Sequence, residues 1–274
     1  MPPNYEVCNK RFADFDLLGK TFVVTGGARG LGLSLAEALV EAGGKVYCLD
    51  RAEEPDKEWE DARRRVVPNG VAAWSIASKT SLNGAIVAAG VLQITPAMEY
   101  ATEDAAAMLA TNFAGAFETA SAVARMMFKY KCGGSICFIA SMSGLVANKG
   151  MVSAVYNSSK VALIQLTRSL AMEWGSARTD GSPGIRVNAI SPGHIITPMV
   201  KKTFVEKPEL KELWTNENMM KRLAQPEFKG AALFLLSKAS SFMTGSNMII
   251  DGGCMAHPNQ SWTAQVSQDQ PATV

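Results

Sequence analysis

The sequence predicts an α/β protein in which one domain is built on a doubly wound parallel sheet. Its 274 residues are 47% hydrophobic and 19% charged, which is the composition of a globular protein with a substantial core. The body of the chain has no linker rich in Pro, Gly and Ser, and residues 20–50 read as strand, helix and strand. We therefore expect a single domain over residues 1–256, followed by a polar tail over residues 257–274.

The first βαβ unit is the segment KTFVVTGGARGLGLSLAEALVEAGGKVYCLD at residues 20–50. An apolar, β-branched strand leads into a glycine-rich turn, a helix and a second apolar strand. Glycines at such a turn allow a tight bend and the close approach of a pyrophosphate, which the free N–H groups of the helix N-terminus bind. The pattern predicts a Rossmann-type dinucleotide site rather than a turn whose glycines serve packing alone. The cofactor contacts predicted in this turn are Gly26, Arg29, Gly30, Leu31 and Gly32.

Residues of opposite charge leave the cofactor open between NAD and NADP. Asp50 ends the second strand, where its carboxylate can accept hydrogen bonds from the adenine ribose and repel a 2′-phosphate. Arg29 in the glycine turn and Arg51 after the aspartate could each reach that phosphate, or else lie in solvent. Asp50 therefore favours NAD, while the two arginines keep NADP possible.

The segment from Asp50 to Ala88 is too short for the elements that a doubly wound sheet places there. RAEEPDKEWEDARRRVVPNG supplies a helix and LNGAIVAAG supplies a strand, which leaves only VAAWSIASKTS between them. A parallel crossover needs a dozen or more residues, so we expect the third strand of the sheet to be missing. The alternative is that VAAWSI forms a shortened third strand, joined to the next strand by an extended link.

A second feature is the segment YNSSK, which places Tyr156 and Lys160 four residues apart. In a helix this spacing puts both side chains on one face, about 5–6 Å apart at Cβ. A positive charge beside a phenol favours the ionised form and lowers the phenol pKa from about 10. Such a tyrosine can exchange a proton near neutral pH, whereas an isolated pair with this spacing is usually a surface contact.

Six segments of the chain occur in a characteristic order: TGGARGLG, AAG at residues 88–90, ATNFAGAF, IASMSG, YNSSK and IRVNAISPGHIITPM. In this order they resemble the short-chain dehydrogenase/reductase family, and the similarity spans nearly the whole chain. IASMSG followed by YNSSK is most similar to the fungal mannitol 2-dehydrogenase and sorbose reductase branch. The resemblance implies an oxidoreductase that transfers a hydride between NAD(P)(H) and a ketone or secondary alcohol.

The resemblance also implies roles for four catalytic residues. Tyr156 would donate a proton to the ketone or accept one from the alcohol, and Lys160 would lower the tyrosine pKa and bind the nicotinamide ribose. Ser141 would hold the substrate oxygen, with Ser143 as the competing candidate two residues away. Asn112 would help to hold a water in the proton relay near Lys160.

The remaining cofactor contacts that the resemblance implies lie in two loops. Pro192 and Gly193 would break a strand, so that the Ile195 backbone and the Thr197 hydroxyl can orient the nicotinamide carboxamide. The small residues at 88–90 would let the cofactor pass closely. We expect these contacts at Ala89, Gly90, Pro192, Gly193, Ile195 and Thr197, in addition to Tyr156 and Lys160. His194 lies in the same loop, but no partner in the sequence gives it a catalytic role.

The expected substrate is a small-molecule carbonyl or alcohol, either a polyol or ketose or a secondary-metabolite ketone. Residues 199–222 mix charged and large apolar side chains, as a helical lid over a substrate would. The alternative function is a catalytically impaired reductase-like protein that serves binding or interaction, because the region between Asp50 and Ala88 is truncated.

The net charge of +2 and the absence of a long apolar run argue against nucleic acid and membrane partners. Five cysteines without metal-ligand spacing indicate reduced thiols, no metal site and a cytoplasmic location. The resemblance implies a homo-oligomer, either a dimer or a tetramer.

Overall fold

The computed structural model describes residues 12–51, 57–66, 81–148, 150–225 and 227–256. Six strands in this part of the chain form one parallel sheet with the order β2-β1-β3-β4-β5-β6. The strands are β1 Thr21–Thr25, β2 Lys45–Leu49, β3 Gly84–Val87, β4 Gly134–Ile139, β5 Ile185–Pro192 and β6 Asn247–Ile250. This is the single-domain, doubly wound sheet that the sequence predicts.

Eight α-helices in the described part of the chain connect or follow the strands. They are α1 Gly30–Glu41, α2 Lys57–Val66, α3 Thr102–Leu109, α4 Gly115–Lys129, α5 Ala154–Trp174, α6 Pro198–Glu206, α7 Glu209–Asn216 and α8 Lys229–Leu236. A π-helical turn over Ala110–Ala114 joins α3 to α4. No helix in the described ranges is long and apolar enough to cross a membrane.

Helices cover both faces of the sheet because alternate residues of each buried strand point to opposite sides. In β1, Phe22 and Val24 pack with α1, α2 and α8, while Val23 between them packs with α4 and α5. The apolar residues that the sequence places along β1 are therefore buried on both faces.

The strand order reverses direction at β1, since β2 lies on one side of β1 and β3 lies on the other. Ligands of open α/β sheets bind beyond the carboxyl ends of the strands at such a switch point. The fold thus places the predicted site between the turns that follow β1 and β3.

The predicted helix after β2 is confirmed as α2, and the predicted strand LNGAIVAAG is confirmed as β3. The segment VAAWSI, on which the expectation of a missing or shortened third strand depends, lies outside the described residues, as does the predicted tail. Within the described sheet β2 is hydrogen-bonded to β1, and β1 is hydrogen-bonded in turn to β3.

Candidate active site

The structure brings the predicted site residues together at the carboxyl edge of the sheet, because all of its strands are parallel and end there. The glycine turn follows β1, Asp50 follows β2, Ala89 and Gly90 follow β3, and Ser141 follows β4. The remaining residues lie at the end of β5 and in the loop after it, in the π-helical turn and in α5: Pro192, Gly193, Ile195, Thr197, Asn112, Tyr156 and Lys160. Leu31 lies in the first turn of α1.

The glycine turn is shaped so that a larger residue would block it. Gly26 has a φ of +66°, in the left-handed region that glycine adopts without strain. A Cβ on Gly32 would lie 2.1 Å from the carbonyl oxygen of Gly26. The first turn of α1 therefore approaches the preceding loop as closely as glycine allows, which fits a turn built to receive a dinucleotide pyrophosphate.

Asp50 lies against the glycine turn. Its Oδ2 accepts a hydrogen bond from the Ala28 N–H at 3.2 Å. Arg29 and Arg51, the two arginines that could reach the 2′-phosphate of NADP, are both exposed. The carboxylate is therefore part of the site wall, while both guanidinium groups lie at the protein surface.

A second carboxylate at this turn, from Glu58 of α2, was missed by the sequence analysis. Its Oε2 accepts a hydrogen bond from the Gly30 N–H at 3.2 Å. Twenty-eight residues separate the two groups, and no motif links them. Only the packing of α2 against α1 brings them together.

Asn112 is fully buried in the π-helical turn and braces the loop that follows β3. Its Nδ2 donates to the Val91 carbonyl and to the Ser159 hydroxyl, both at 3.0 Å, and its Oδ1 accepts from the Val91 N–H at 2.8 Å. A Cβ on Gly90 would lie 3.4 Å from Asn112 Oδ1 and 3.5 Å from Lys160 Nζ. Asn112 and Lys160 therefore approach the same small residue.

Lys160 is a buried ammonium beneath Tyr156, and both residues lie on α5 as predicted. Its Nζ donates a hydrogen bond to the Ile139 carbonyl at 2.8 Å and lies 5.6 Å from the centroid of the Tyr156 ring. Burial lowers the pKa of Lys160 to about 8, because a buried site disfavours the charged form. The lysine is thus fixed between α5 and the end of β4.

The Tyr156 hydroxyl has a raised pKa, in the direction opposite to the one that the Tyr–Lys spacing predicts. Burial is the larger cause and raises the pKa, while a hydrogen bond with the Ser141 side chain acts to lower it. Spacing along a helix does not show how deeply a phenol is buried. The prediction from the sequence therefore left out burial, which has the largest effect on this pKa.

The two candidate serines differ in their partners. Ser141 Oγ accepts a hydrogen bond from the Ser143 N–H and donates one to Ser143 Oγ, both at 3.1 Å. The Ser143 hydroxyl also accepts from Asn148 Nδ2 at 2.7 Å. The Ser141 side chain lies beside the Tyr156 hydroxyl, where it acts to lower the pKa of that hydroxyl, while Ser143 is held by Ser141 and by a loop side chain.

The loop after β5 is held to the segment that precedes α8. The Ala224 N–H donates to the His194 carbonyl, and the Ile196 N–H donates to the Ala224 carbonyl, both at 2.9 Å. Because these two bonds flank Ile195 in a parallel bridge, the N–H and carbonyl groups of Ile195 point away from Ala224.

Thr197 caps α6, and its Oγ1 accepts a hydrogen bond from the Val200 N–H at 3.3 Å. Pro192 ends β5, as predicted.

Helices α6 and α7 lie over the site. Together with side chains from neighbouring loops they form an apolar group that we call the lid cluster. Its buried members are Met151, Leu210, Trp214 and Leu223. The Tyr156 side chain packs against this cluster. A cavity of about 380 Å³ beside it is lined by Ile196, Lys201, Phe204, Val205, Lys211 and Leu223.

His194, to which the sequence gave no role, stacks on Trp214 of the lid cluster. The two ring centroids are 4.1 Å apart and the ring planes differ by 2°. Burial lowers the pKa of His194 to about 4, so the imidazole is neutral at pH 7. Among the described residues His194 Nε2 and Trp214 Nε1 are buried without a hydrogen-bond partner.

The family model adh_short_C2, whose description reads Enoyl-(Acyl carrier protein) reductase, matches residues 26–255 of this chain. The match runs from the glycine turn to the residues that follow β6, and so spans every element of the site. The chain belongs to the short-chain dehydrogenase/reductase family.

Curated members of this family are similar to the chain over most of its length. A short chain dehydrogenases/reductase notP' of Aspergillus versicolor is 38% identical and covers 87% of this chain and 88% of its own. A ribulose-forming D-arabinitol 2-dehydrogenase of Scheffersomyces stipitis is 34% identical, with 88% and 95% covered. The sorbose reductase sou1 of Schizosaccharomyces pombe is 35% identical, with 87% and 97% covered. The predicted similarity to fungal sorbose reductases is confirmed.

Solved structures of the family share the fold. A short-chain type dehydrogenase/reductase from Mycobacterium marinum has a TM-score of 0.78 and 31% identity, covering 89% of this chain and 98% of its own. A gluconate 5-dehydrogenase from Burkholderia cenocepacia J2315, solved with NADP and tartrate, has a TM-score of 0.76 and 28% identity, with 89% and 98% covered. This short-chain dehydrogenase/reductase is an NAD(P)-dependent oxidoreductase that acts between an alcohol and a ketone.

Proposed function

We propose that Tyr156 is the proton donor and acceptor of this reductase, and that Ser141 holds the reacting oxygen. The observation that carries the proposal is the position of Tyr156 at the carboxyl edge of the sheet, with Lys160 Nζ 5.6 Å from its ring centroid and the Ser141 side chain beside its hydroxyl. Two neighbouring hydroxyls can both bond a carbonyl oxygen that enters between them. General acid catalysis requires this direct reach to the reacting oxygen.

Lys160 and Asn112 support Tyr156 in this proposal. The Lys160 ammonium is buried below the phenol ring, where its charge favours the tyrosinate that forms when the proton leaves. Asn112 fixes the loop beside Lys160 through its hydrogen bonds to Val91. Both residues thus stabilise the ionised state of Tyr156 without contacting the substrate.

The glycine turn, Asp50, Gly90, Ile195 and Thr197 are the residues that we propose hold the dinucleotide. The Cβ-free approach of Gly32 to Gly26 and the outward-facing backbone groups of Ile195 support this assignment. A bound nicotinamide cofactor supplies or removes the hydride. We propose NAD as the preferred cofactor because the Asp50 carboxylate lies on the turn while Arg29 and Arg51 are exposed.

The surroundings of Tyr156 favour a ketone on an apolar skeleton over an open-chain ketose. Tyr156 packs on the lid cluster, whose neighbouring members Leu92, Ile94 and Leu213 are also apolar. A polyol presents a hydroxyl at nearly every carbon, and burying each hydroxyl without a hydrogen-bond partner is unfavourable. Burying an apolar ketone against the same surface is favourable.

A polyol or ketose remains the second candidate substrate, because D-arabinitol 2-dehydrogenase and sorbose reductase are among the relatives. A carbonyl panel with NADH and NADPH separates the candidates. We expect an apolar cyclic ketone to be reduced with a kcat/KM at least about tenfold above those of ribulose and sorbose. A higher value for either ketose contradicts the apolar assignment, and turnover of an enoyl thioester alone contradicts the ketone assignment.

We propose that the protein is a cytoplasmic homo-oligomer. Exposed apolar residues on α4, α5 and the adjoining π-helical turn support an interface between copies, and they include Phe113, Phe117, Val161 and Met172. The described cysteines are free thiols, as in a reducing compartment. Light scattering of the purified protein tests the assembly, since a monomer at micromolar concentration contradicts it.

A further inference from the structure

Glu58 has no part in the proposed chemistry, although it lies at the glycine turn. Its carboxylate accepts a hydrogen bond from the Gly30 N–H, and Gly30 is the first residue of α1. Gly30 directly follows Arg29, whose guanidinium is a candidate partner for the 2′-phosphate of NADP. A negatively charged side chain of the protein therefore binds the backbone beside the residue that would meet this phosphate.

The placement of Glu58 is enforced by the packing of α2 on α1. Trp59 and Ala62 of α2 are buried in the core cluster that contains α1. Farther along the helix Arg65 forms an ion pair with Glu37 of α1 at 2.6 Å. Because α2 is held at both points, Glu58 is directed at the glycine turn by the helix that carries it.

Two carboxylates thus bind the same turn from different elements. Asp50 accepts from Ala28 N–H and Glu58 accepts from Gly30 N–H, each at 3.2 Å. Arg29 lies between these two donors in sequence, but its side chain is exposed. Two carboxylates therefore lie against this turn, one from the end of β2 and one from α2.

We propose that Glu58 is a specificity-determining residue that disfavours NADP(H) and so favours NAD(H). A 2′-phosphate adds about two negative charges at neutral pH to a site that already holds the carboxylates of Asp50 and Glu58. Like charges this close repel, since solvent screens them incompletely in a partly buried turn. The ribose of NAD(H) carries a hydroxyl at that position, and this hydroxyl can donate a hydrogen bond to a carboxylate.

This inference rests on the proposed dinucleotide site, and it differs from a purely structural role for Glu58. A carboxylate at a helix N-terminus stabilises the helix whatever the cofactor is. A structural role alone would therefore change the stability of the protein and leave the ratio of the two cofactor affinities unchanged. The ratio is the quantity that separates the two roles.

The test compares Glu58→Gln with Glu60→Gln. The glutamine at position 58 keeps an oxygen that can accept from Gly30 N–H and removes only the charge. Glu60 lies on the same helix and pairs with Arg63 at 3.8 Å, so its replacement removes the same charge away from the turn. The dissociation constants of NADH and NADPH are measured separately by nicotinamide fluorescence, without a substrate.

In Glu58→Gln we expect the dissociation constant of NADPH to fall at least about fivefold relative to that of NADH. In Glu60→Gln the ratio should stay within about twofold of the original. An unchanged ratio in Glu58→Gln, with both cofactors still bound, overturns the role of Glu58 and leaves the proposed function intact. Failure of the original protein and of both variants to bind either cofactor overturns the proposed function together with this inference.

Discussion

Lys160 Nζ lies 5.6 Å from the ring centroid of Tyr156 while it donates a hydrogen bond to the Ile139 carbonyl. The ammonium is therefore fixed by β4 and faces the phenol ring from within α5. The ring also packs against the lid cluster. The tyrosine therefore contacts a charged group on one side and apolar side chains on another. Because burial raises its pKa, the phenol keeps its proton at neutral pH.

Replacing Tyr156 with phenylalanine removes the proposed acid and keeps the ring. We expect the kcat for ketone reduction to fall by about 10²–10⁴-fold, the usual contribution of general acid catalysis, while NADH still binds. Steady-state kinetics and a fluorescence titration of the same sample measure both quantities. Tyr130→Phe at the exposed end of α4 is the matched control and should keep full activity.

The two serines are separated by paired alanine variants. Ser141→Ala removes the hydroxyl that lies beside Tyr156, so we expect kcat/KM to fall by about 10²-fold or more. Ser143→Ala removes a hydroxyl that is held by Asn148, and we expect a loss below about tenfold. A larger loss in Ser143→Ala than in Ser141→Ala would assign the substrate oxygen to Ser143.

Gly32→Ala should disrupt the glycine turn, because the new Cβ would lie 2.1 Å from the Gly26 carbonyl oxygen. We expect a loss of roughly 2–4 kcal/mol in the free energy of unfolding and weakened binding of both cofactors. Gly230→Ala is the control, since nothing lies within 4 Å of its new Cβ in α8. That variant should be at least as stable as the original protein, with a gain of at most about 1 kcal/mol from helix propensity.

The stacking of His194 on Trp214 predicts a pH dependence of stability. Burial lowers the His194 pKa in the folded state to about 4 from 6.5, so the unfolded chain binds the proton first as the pH falls. The free energy of unfolding that the neutral His194 contributes is fully present above pH 6.5, and it is lost as the pH falls from 6.5 to about 4. Between pH 7 and pH 5 this amounts to about 1–2 kcal/mol.

Chemical denaturation of His194→Phe at pH 7 and pH 5 measures this effect. The phenylalanine keeps an aromatic ring against Trp214 but has no proton to bind. Its stability should change less between the two pH values than that of the original protein, by about 1–2 kcal/mol. Equal changes in the two proteins would mean that His194 does not titrate in this range.

The sequence alone determined the glycine turn, the position of Asp50 and the Tyr156–Lys160 pair, because each is a local pattern. A strand that runs into glycines and a helix fixes its own turn within some 30 residues. Four residues on a helix likewise fix a shared face. These features follow from backbone geometry, so the predicted fold and the placement of these residues at one edge of the sheet agree with the structure.

Only the tertiary structure decided which groups contact each other across the chain. It placed Glu58 on Gly30, stacked His194 on Trp214, and put the Ser141 side chain beside the Tyr156 hydroxyl. It also reversed the expected direction of the Tyr156 pKa shift, since burial depends on how the lid cluster packs. Contacts between distant segments and the loss of solvent around a side chain are set by packing in three dimensions, which residue spacing does not encode.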